Sequence, residues 1–149
     1  MFNPDQFLDM QVTESNDTVV VPVPVGEYTA VVGEVKCRQW QKKDDPTVAG
    51  LALDIVWEID DQNVKALLGR DKVTVKQGIM LDLTESGGLD MGKGKNISLG
   101  RLREATGLNS PGQPFSFSML AGRVAKVSVS HRIDGDKIFT DVKGVAKLG

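Results

Sequence analysis

From residue 26 onward, apolar and polar residues alternate along much of the chain with the period of two that marks half-buried strands. The first alternating run, Tyr28 to Trp40, has Tyr28, Ala30 and Val32 in one phase and Val35 and Cys37 in the other. Gly33 sits at the change of phase, where a β-bulge is expected to flip facing by one residue and bend the strand. A second strand is predicted over Leu51 to Ile59, with Leu51, Leu53, Ile55, Trp57 and Ile59 on the core face and Asp54 and Glu58 opposite. A third covers about Lys72 to Leu83, turning Val73, Val75, Ile79, Leu81 and Leu83 inward and Lys72, Thr74, Lys76 and Met80 outward. Gly122 to Arg132 and Lys137 to about Ala146 supply two more, joined by the hairpin signal Asp134-Gly135.

Only Ile97 to Thr106 carries a convincing helical period, with Leu99, Leu102 and Ala105 as its buried stripe. Asn96 or Ser98 is its expected cap and Gly107 its stop. Asp60-Asp61-Gln62-Asn63 reads as a turn, Gln41 to Pro46 as a loop, and Glu85 to Lys95 as a flexible Gly-rich connection. Three strands, one helix and two strands, with a bent glycine-bearing first strand, is the order of the OB fold. The expected class is therefore all-β: a five-stranded Greek-key barrel with the helix between strands 3 and 4. Another small β-barrel or a sandwich would share this element order. Residues 1–24 read as an acidic N-terminal arm, and 25–149 as the barrel domain. Within the arm, the run Val19-Val20-Val21-Pro22-Val23-Pro24 favours an extended path, because its prolines remove ladder donors.

Composition narrows the function more than the fold. A chain of 149 residues makes one domain. The lone Cys37 excludes an internal disulfide and a multi-cysteine metal site, and the single His131 leaves a Ser–His–Asp relay one possible base. These counts disfavour most enzymes, so no catalytic residue, cofactor or metal is expected and a binding module becomes the default. No apolar run approaches the roughly 18–20 residues that span a bilayer, so no membrane partner is expected. The start, MFNPDQFLDM, lacks the basic region of a secretory signal.

Net charge is −2, but it is unevenly spread. Residues 1–35 hold six acids and no Lys or Arg, whereas residues 91–149 hold ten basic and four acidic side chains. An acidic leader before a basic body suggests contact with a polyanion, although a solvated surface with chance clustering also fits. Past the Gly33 bulge, Lys36, Arg38 and Trp40 fall on one face. Lys42 and Lys43 extend it into the following loop, and Lys72 and Lys76 supply the outward face of the third strand. Cations that track phosphates, interleaved with an aromatic ring that stacks a base, are what a single-strand platform needs. Lys93 and Lys95 in the Gly-rich stretch, and Arg132 beside His131 at a strand end, are further phosphate candidates. The plainer alternative is that the lysines solubilise and Trp40 covers the barrel mouth.

Trp57 shares the phase of the core, Phe115 and Phe117 read as barrel-sealing residues, and Phe139 competes with Ile138 and Val142 for the interior. Arg101 and Arg103 on the exposed helix flank read as solubilising. Gly87 to Lys93 matches seven positions of a P-loop, but Gly94 stands where Mg²⁺ binding needs Ser or Thr, and Asp90 would charge the cradle negatively. Asp44-Asp45 and Asp60-Asp61 read as turns rather than metal ligands.

Four stretches carry a family resemblance. Leu89 to Asn96, Leu99 to Leu108 and Asp141 to Val145, with the opening Pro24-Val25-Gly26-Glu27-Tyr28, resemble phage-encoded single-stranded-DNA-binding proteins of OB type. The resemblance covers roughly residues 20–149 and none of its motifs is catalytic. It implies sequence-independent coating of single strands in phage replication or recombination, in the host cytoplasm. Single-stranded DNA is the implied partner, with room for phage replication or recombination proteins and for a homo-oligomer or cooperative assembly on the strand. One departure stands out: many such binders end in an acidic tail, whereas this chain reads Ala146-Lys147-Leu148-Gly149, so an acidic recruiting segment would have to be the N-terminal arm. The rival reading is a protein-interaction or virion-accessory barrel without a nucleic-acid ligand; a nuclease or nucleotide enzyme comes third.

Overall fold

The computed structural model describes residues 2–18 and 20–148. Val19, first of the Val/Pro run, lies outside the described residues. The arm holds a single helical turn, α1 (Pro4–Phe7), whose cap Asn3 accepts from the Asp5 N–H. The strands are β1 (Gly26–Gln41), β2 (Ala49–Ile59), β3 (Thr74–Met80), β4 (Val124–Asp134) and β5 (Lys137–Ala146). Two longer helices, α2 (Gln62–Leu68) and α3 (Ile97–Ala105), and a 3-10 turn over Phe117–Leu120 complete the chain.

All ladders are antiparallel and the sheet order is β3-β2-β1-β4-β5. The long β1 is shared: residues 26–31 pair with β4, and residues 30–41 pair with β2. The register shifts between Val32 and Glu34, so the expected bulge is present at Gly33 and reverses the facing of the residues beyond it. A five-stranded antiparallel sheet with few helices is thus the architecture, consistent with a small barrel-like fold. At its two ends β3 and β5 come within 8 Å (Cα to Cα), with no ladder between them among the described residues. The sheet curls on itself but stays open along this seam.

The core fills the inside of that curl. Leu53, Ile55, Trp57 and Ile59 of β2, Val75 and Ile79 of β3, and Ala125, Val127 and Val129 of β4 are all buried, beside Leu99, Leu102 and Ala105 of α3. Trp57 is fully enclosed, and its indole N–H donates to Gln77 Oε1 at 2.8 Å, which relieves the cost of burying that donor. Phe115 and Phe117 meet edge to face at 5.9 Å and pack against the core margin. At the last hairpin Val142 packs against the core, while Ile138 and Phe139 lie outside.

Four expectations need correction. The third strand is shorter than Lys72 to Leu83: the ladder covers only Thr74–Met80, and Leu83 is held by an isolated bridge to Leu89. The turn at Asp60 to Asn63 is the start of α2, where the Asp61 carboxylate accepts from the Val64 N–H and Gly69, at φ 65°, ends the helix. Val64 is buried and Leu68, one turn on, packs at the core margin, but a helix of seven residues shows too little of the helical period to stand out from a turn. Neither Asn96 nor Ser98 caps α3 with its side chain. Asn96 instead takes a left-handed conformation (φ 52°) and ties down the Gly-rich stretch: its side chain accepts from the Asp82 N–H at 2.8 Å and donates to the carbonyls of Asp82 and Asp90. Finally, the arm does not separate cleanly at residue 24. Val23 is buried in the core, and the Val23 and Pro24 carbonyls accept from the His131 Nε2–H at 2.6 Å and the Tyr28 hydroxyl at 2.7 Å.

Candidate nucleic-acid interface

Past the bulge, the register fixes which side chains share the outer face of the sheet. Glu34, Lys36, Arg38 and Trp40 of β1 stand opposite Val56, Asp54, Ala52 and Gly50 of β2, and Lys76, Gly78 and Met80 of β3 continue the rows. Gly78 keeps this part of the face low, and a furrow of about 360 Å³ lies there, walled by Lys36, Arg38 and Lys76 together with the carboxylates Glu34 and Asp54. Trp40 lies on the same face, farther toward the β1–β2 turn. Its ring lies against Gly50: a methyl group there would sit 2.9 Å from Cζ2 and 3.0 Å from Cε2 and Nε1. The nearest ring atoms are those of the Nε1–Cζ2 edge of the indole. The ring is only partly exposed, and its Nε1 is buried without a hydrogen-bond partner among the described residues.

The structure therefore gathers Lys36, Arg38, Trp40 and Lys76 on one face. Lys42 and Lys43 are exposed in the turn beyond Trp40, where the Lys42 N–H donates to the Val48 carbonyl. Lys72 precedes β3 rather than lying in it. Lys93 is exposed in the clamped Gly-rich stretch, and Lys95 lines a different groove, beside α3. Arg132 belongs to the β4–β5 hairpin, where its guanidinium lies 4.7 Å from the centroid of the Phe139 ring and pairs with Asp141 at 3.1 Å. His131 donates to the Val23 carbonyl, so its ring anchors the arm rather than facing a phosphate.

Carboxylates occupy the same face. Lys36 pairs with Glu34 at 2.8 Å, Arg38 with Asp54 at 2.8 Å, and Lys72 with Glu58 at 3.2 Å. The Lys36 hydrogen bond, followed by the Lys36 charge, holds the Glu34 carboxyl below its ordinary value, with Lys76 and Lys72 adding to the effect. The same contacts raise the Lys36 ammonium, and those with Asp54 raise the Arg38 guanidinium. Each of these cations thus meets solvent with a neutralising partner, which lowers the fixed positive potential of the furrow.

The period of two places Asp54 and Glu58 outward but does not set them against the cations. Antiparallel pairing of β1 with β2 is the signal that does so. Nor does the sequence pattern single out Lys143, and it leaves Arg101 a solubilising residue; both line a second groove, between β3, β5 and α3. Only the curl of the sheet brings them together with Lys76. Among the described residues no three His, Cys, Asp or Glu side chains gather as a metal site, and no helix is long and apolar enough to cross a membrane. Compared with protein-family models and with curated proteins, the chain matches none.

Proposed function

We propose that this protein is a non-catalytic, sequence-independent binder of single-stranded DNA built on an OB-type barrel. Shared use of a long bulged β1, the approach of β3 to β5 and a helix between β3 and β4 all support the OB assignment. The observation that carries the function is an indole laid against Gly50 on the same outer face as Lys36, Arg38 and Lys76. A base stacks on the open side of that ring while neighbouring phosphates meet the cations. The family resemblance adds the setting, coating of single strands during phage replication or recombination in the host cytoplasm. Binding must displace Glu34 and Asp54 from their partners, so it is weaker than a count of cations suggests.

A second reading, a protein-interaction barrel, is favoured by one observation: the arm exposes Phe2, Phe7, Leu8 and Met10 among acidic residues. A gel-shift series with single-stranded DNA, single-stranded RNA and duplex DNA separates the two. Retention of single-stranded DNA that weakens with salt is expected. Indifference to all three would leave the interaction barrel as the better account.

A further inference from the structure

The seam where the curled sheet fails to close carries three cations, of which it shares Lys76 with the furrow. Lys76 reaches it from β3, Arg101 from the exposed flank of α3 and Lys143 from β5, around a groove of about 450 Å³. Among the described residues none of the three forms an ion pair, whereas Lys36, Arg38 and Lys72 all do. Lys143 is the extra residue of a bulge: Ser128 pairs with Gly144 and Val129 with Val142, so nothing on β4 stands opposite it. Bulges re-aim side chains, and this one puts Lys143 on the groove wall. The one acid on the groove wall, Asp141, is held by Arg132. Arg101 also borders the neighbouring groove that Lys95 lines, and Lys76 also borders the furrow.

We infer that the β3–β5 seam is a phosphate track, with Lys76, Arg101 and Lys143 binding consecutive phosphodiesters of a single strand. The inference rests on the proposed single-strand function and moves its electrostatic centre away from β1. Unpaired cations attract a polyanion without first giving up a carboxylate, and each phosphate they neutralise releases a counterion. The backbone then runs from the furrow over Lys76, across the seam and toward Lys95, while the indole at the far end takes a base.

The test compares full-length protein with K76Q/R101Q/K143Q and with K36Q/R38Q, titrating oligothymidylate across a salt series. The seam variant is expected to weaken binding and to make the slope of log affinity against log salt shallower by about two, at about 0.7 per lost phosphate contact. K36Q/R38Q should change the slope by less. The single variants R101Q and K143Q, each expected to remove about 0.7, serve if the triple variant melts early. Wild-type binding with an unchanged slope in the seam variants would overturn the track and leave the single-strand reading standing. Absence of wild-type binding would overturn both. A parallel titration with inorganic phosphate and thymidine monophosphate identifies the source: monomer binding as tight as that of the oligomer would make the groove a free-phosphate site and defeat the track.

Discussion

Trp40 and Gly50 face one another directly across the β1–β2 ladder, and the indole occupies the space a side chain at residue 50 would need. An aromatic ring covering a cross-strand glycine shields backbone that would otherwise be bare, which is a packing gain in its own right. It also restrains the ring, and a restrained ring loses less freedom when a base stacks on it.

Gly50→Ala is therefore expected to push the indole off its seat, since the added methyl meets three ring atoms at 3.0 Å or less. Single-strand affinity should fall in G50A, and W40A should lose on the order of 1–3 kcal/mol of binding. Equal affinity of G50A and wild type would mean that the seating is irrelevant to binding.

Carboxylates that neutralise the furrow predict the opposite direction. Glu34→Gln and Asp54→Asn release Lys36 and Arg38, and each should tighten single-strand binding while steepening its salt slope by up to about 0.7. Lowering the pH should act similarly through Glu34. Its folded value is depressed, so the ion pair persists above the ordinary carboxylate range and is lost only as pH falls through the lower folded value. Unchanged affinity in both variants would show that these cations never meet the strand.

Much of this fold was legible in the sequence because burial on one face imposes a period of two. Phase alone identified the Gly33 bulge, the inward row of β2 and the interior place of Trp57. What escaped were features not written in that period. Helix α2 is only seven residues long, so Val64 and Leu68 mark less than two turns of helical period behind a sequence that opens like a turn. Asn96 resembles a cap because caps and loop clamps use the same side chain, and only the fold brings Asp82 and Asp90 within its reach. The outward row of β1 was readable, but its neutralisation depended on register with β2, and the seam cations depended on the curl of the sheet.

Asn96 offers a direct test of the clamp. Asn96→Gly retains the left-handed backbone at φ 52° but removes the side-chain bonds to residues 82 and 90. Hydrogen exchange should speed up between residues 83 and 95, with a stability loss of roughly 1–3 kcal/mol. Unaltered exchange there would remove the clamp from the account.

In the core, Gln77 is the only hydrogen-bond partner of the buried Trp57 N–H among the described residues. Gln77→Ala should cost about 1–3 kcal/mol of stability by orphaning that donor, and W57F/Q77L should recover part of the loss because both polar groups leave together. A denaturant melt checks this; a double variant less stable than Q77A would contradict it.

Tyr28, the sole tyrosine, holds the arm through the Pro24 carbonyl, and burial first, then the Asp61 charge, raises its phenol above the ordinary value. A raised folded value means this stability is complete below the unfolded value of about 10 and disappears as pH climbs through the folded one. Ultraviolet titration of the phenolate should give a native midpoint above that of the denatured chain. A native midpoint at or below it would contradict the anchoring.

The central claim is most directly tested by tryptophan fluorescence during titration with oligothymidylate at several salt concentrations. Trp57 is sealed in the core, so Trp40 reports the interface. The account predicts quenching that saturates at micromolar protein, weakens linearly in log salt with a slope of about −0.7 per phosphate bound, and vanishes in W40F. An unquenched signal with no salt-sensitive binding would contradict it.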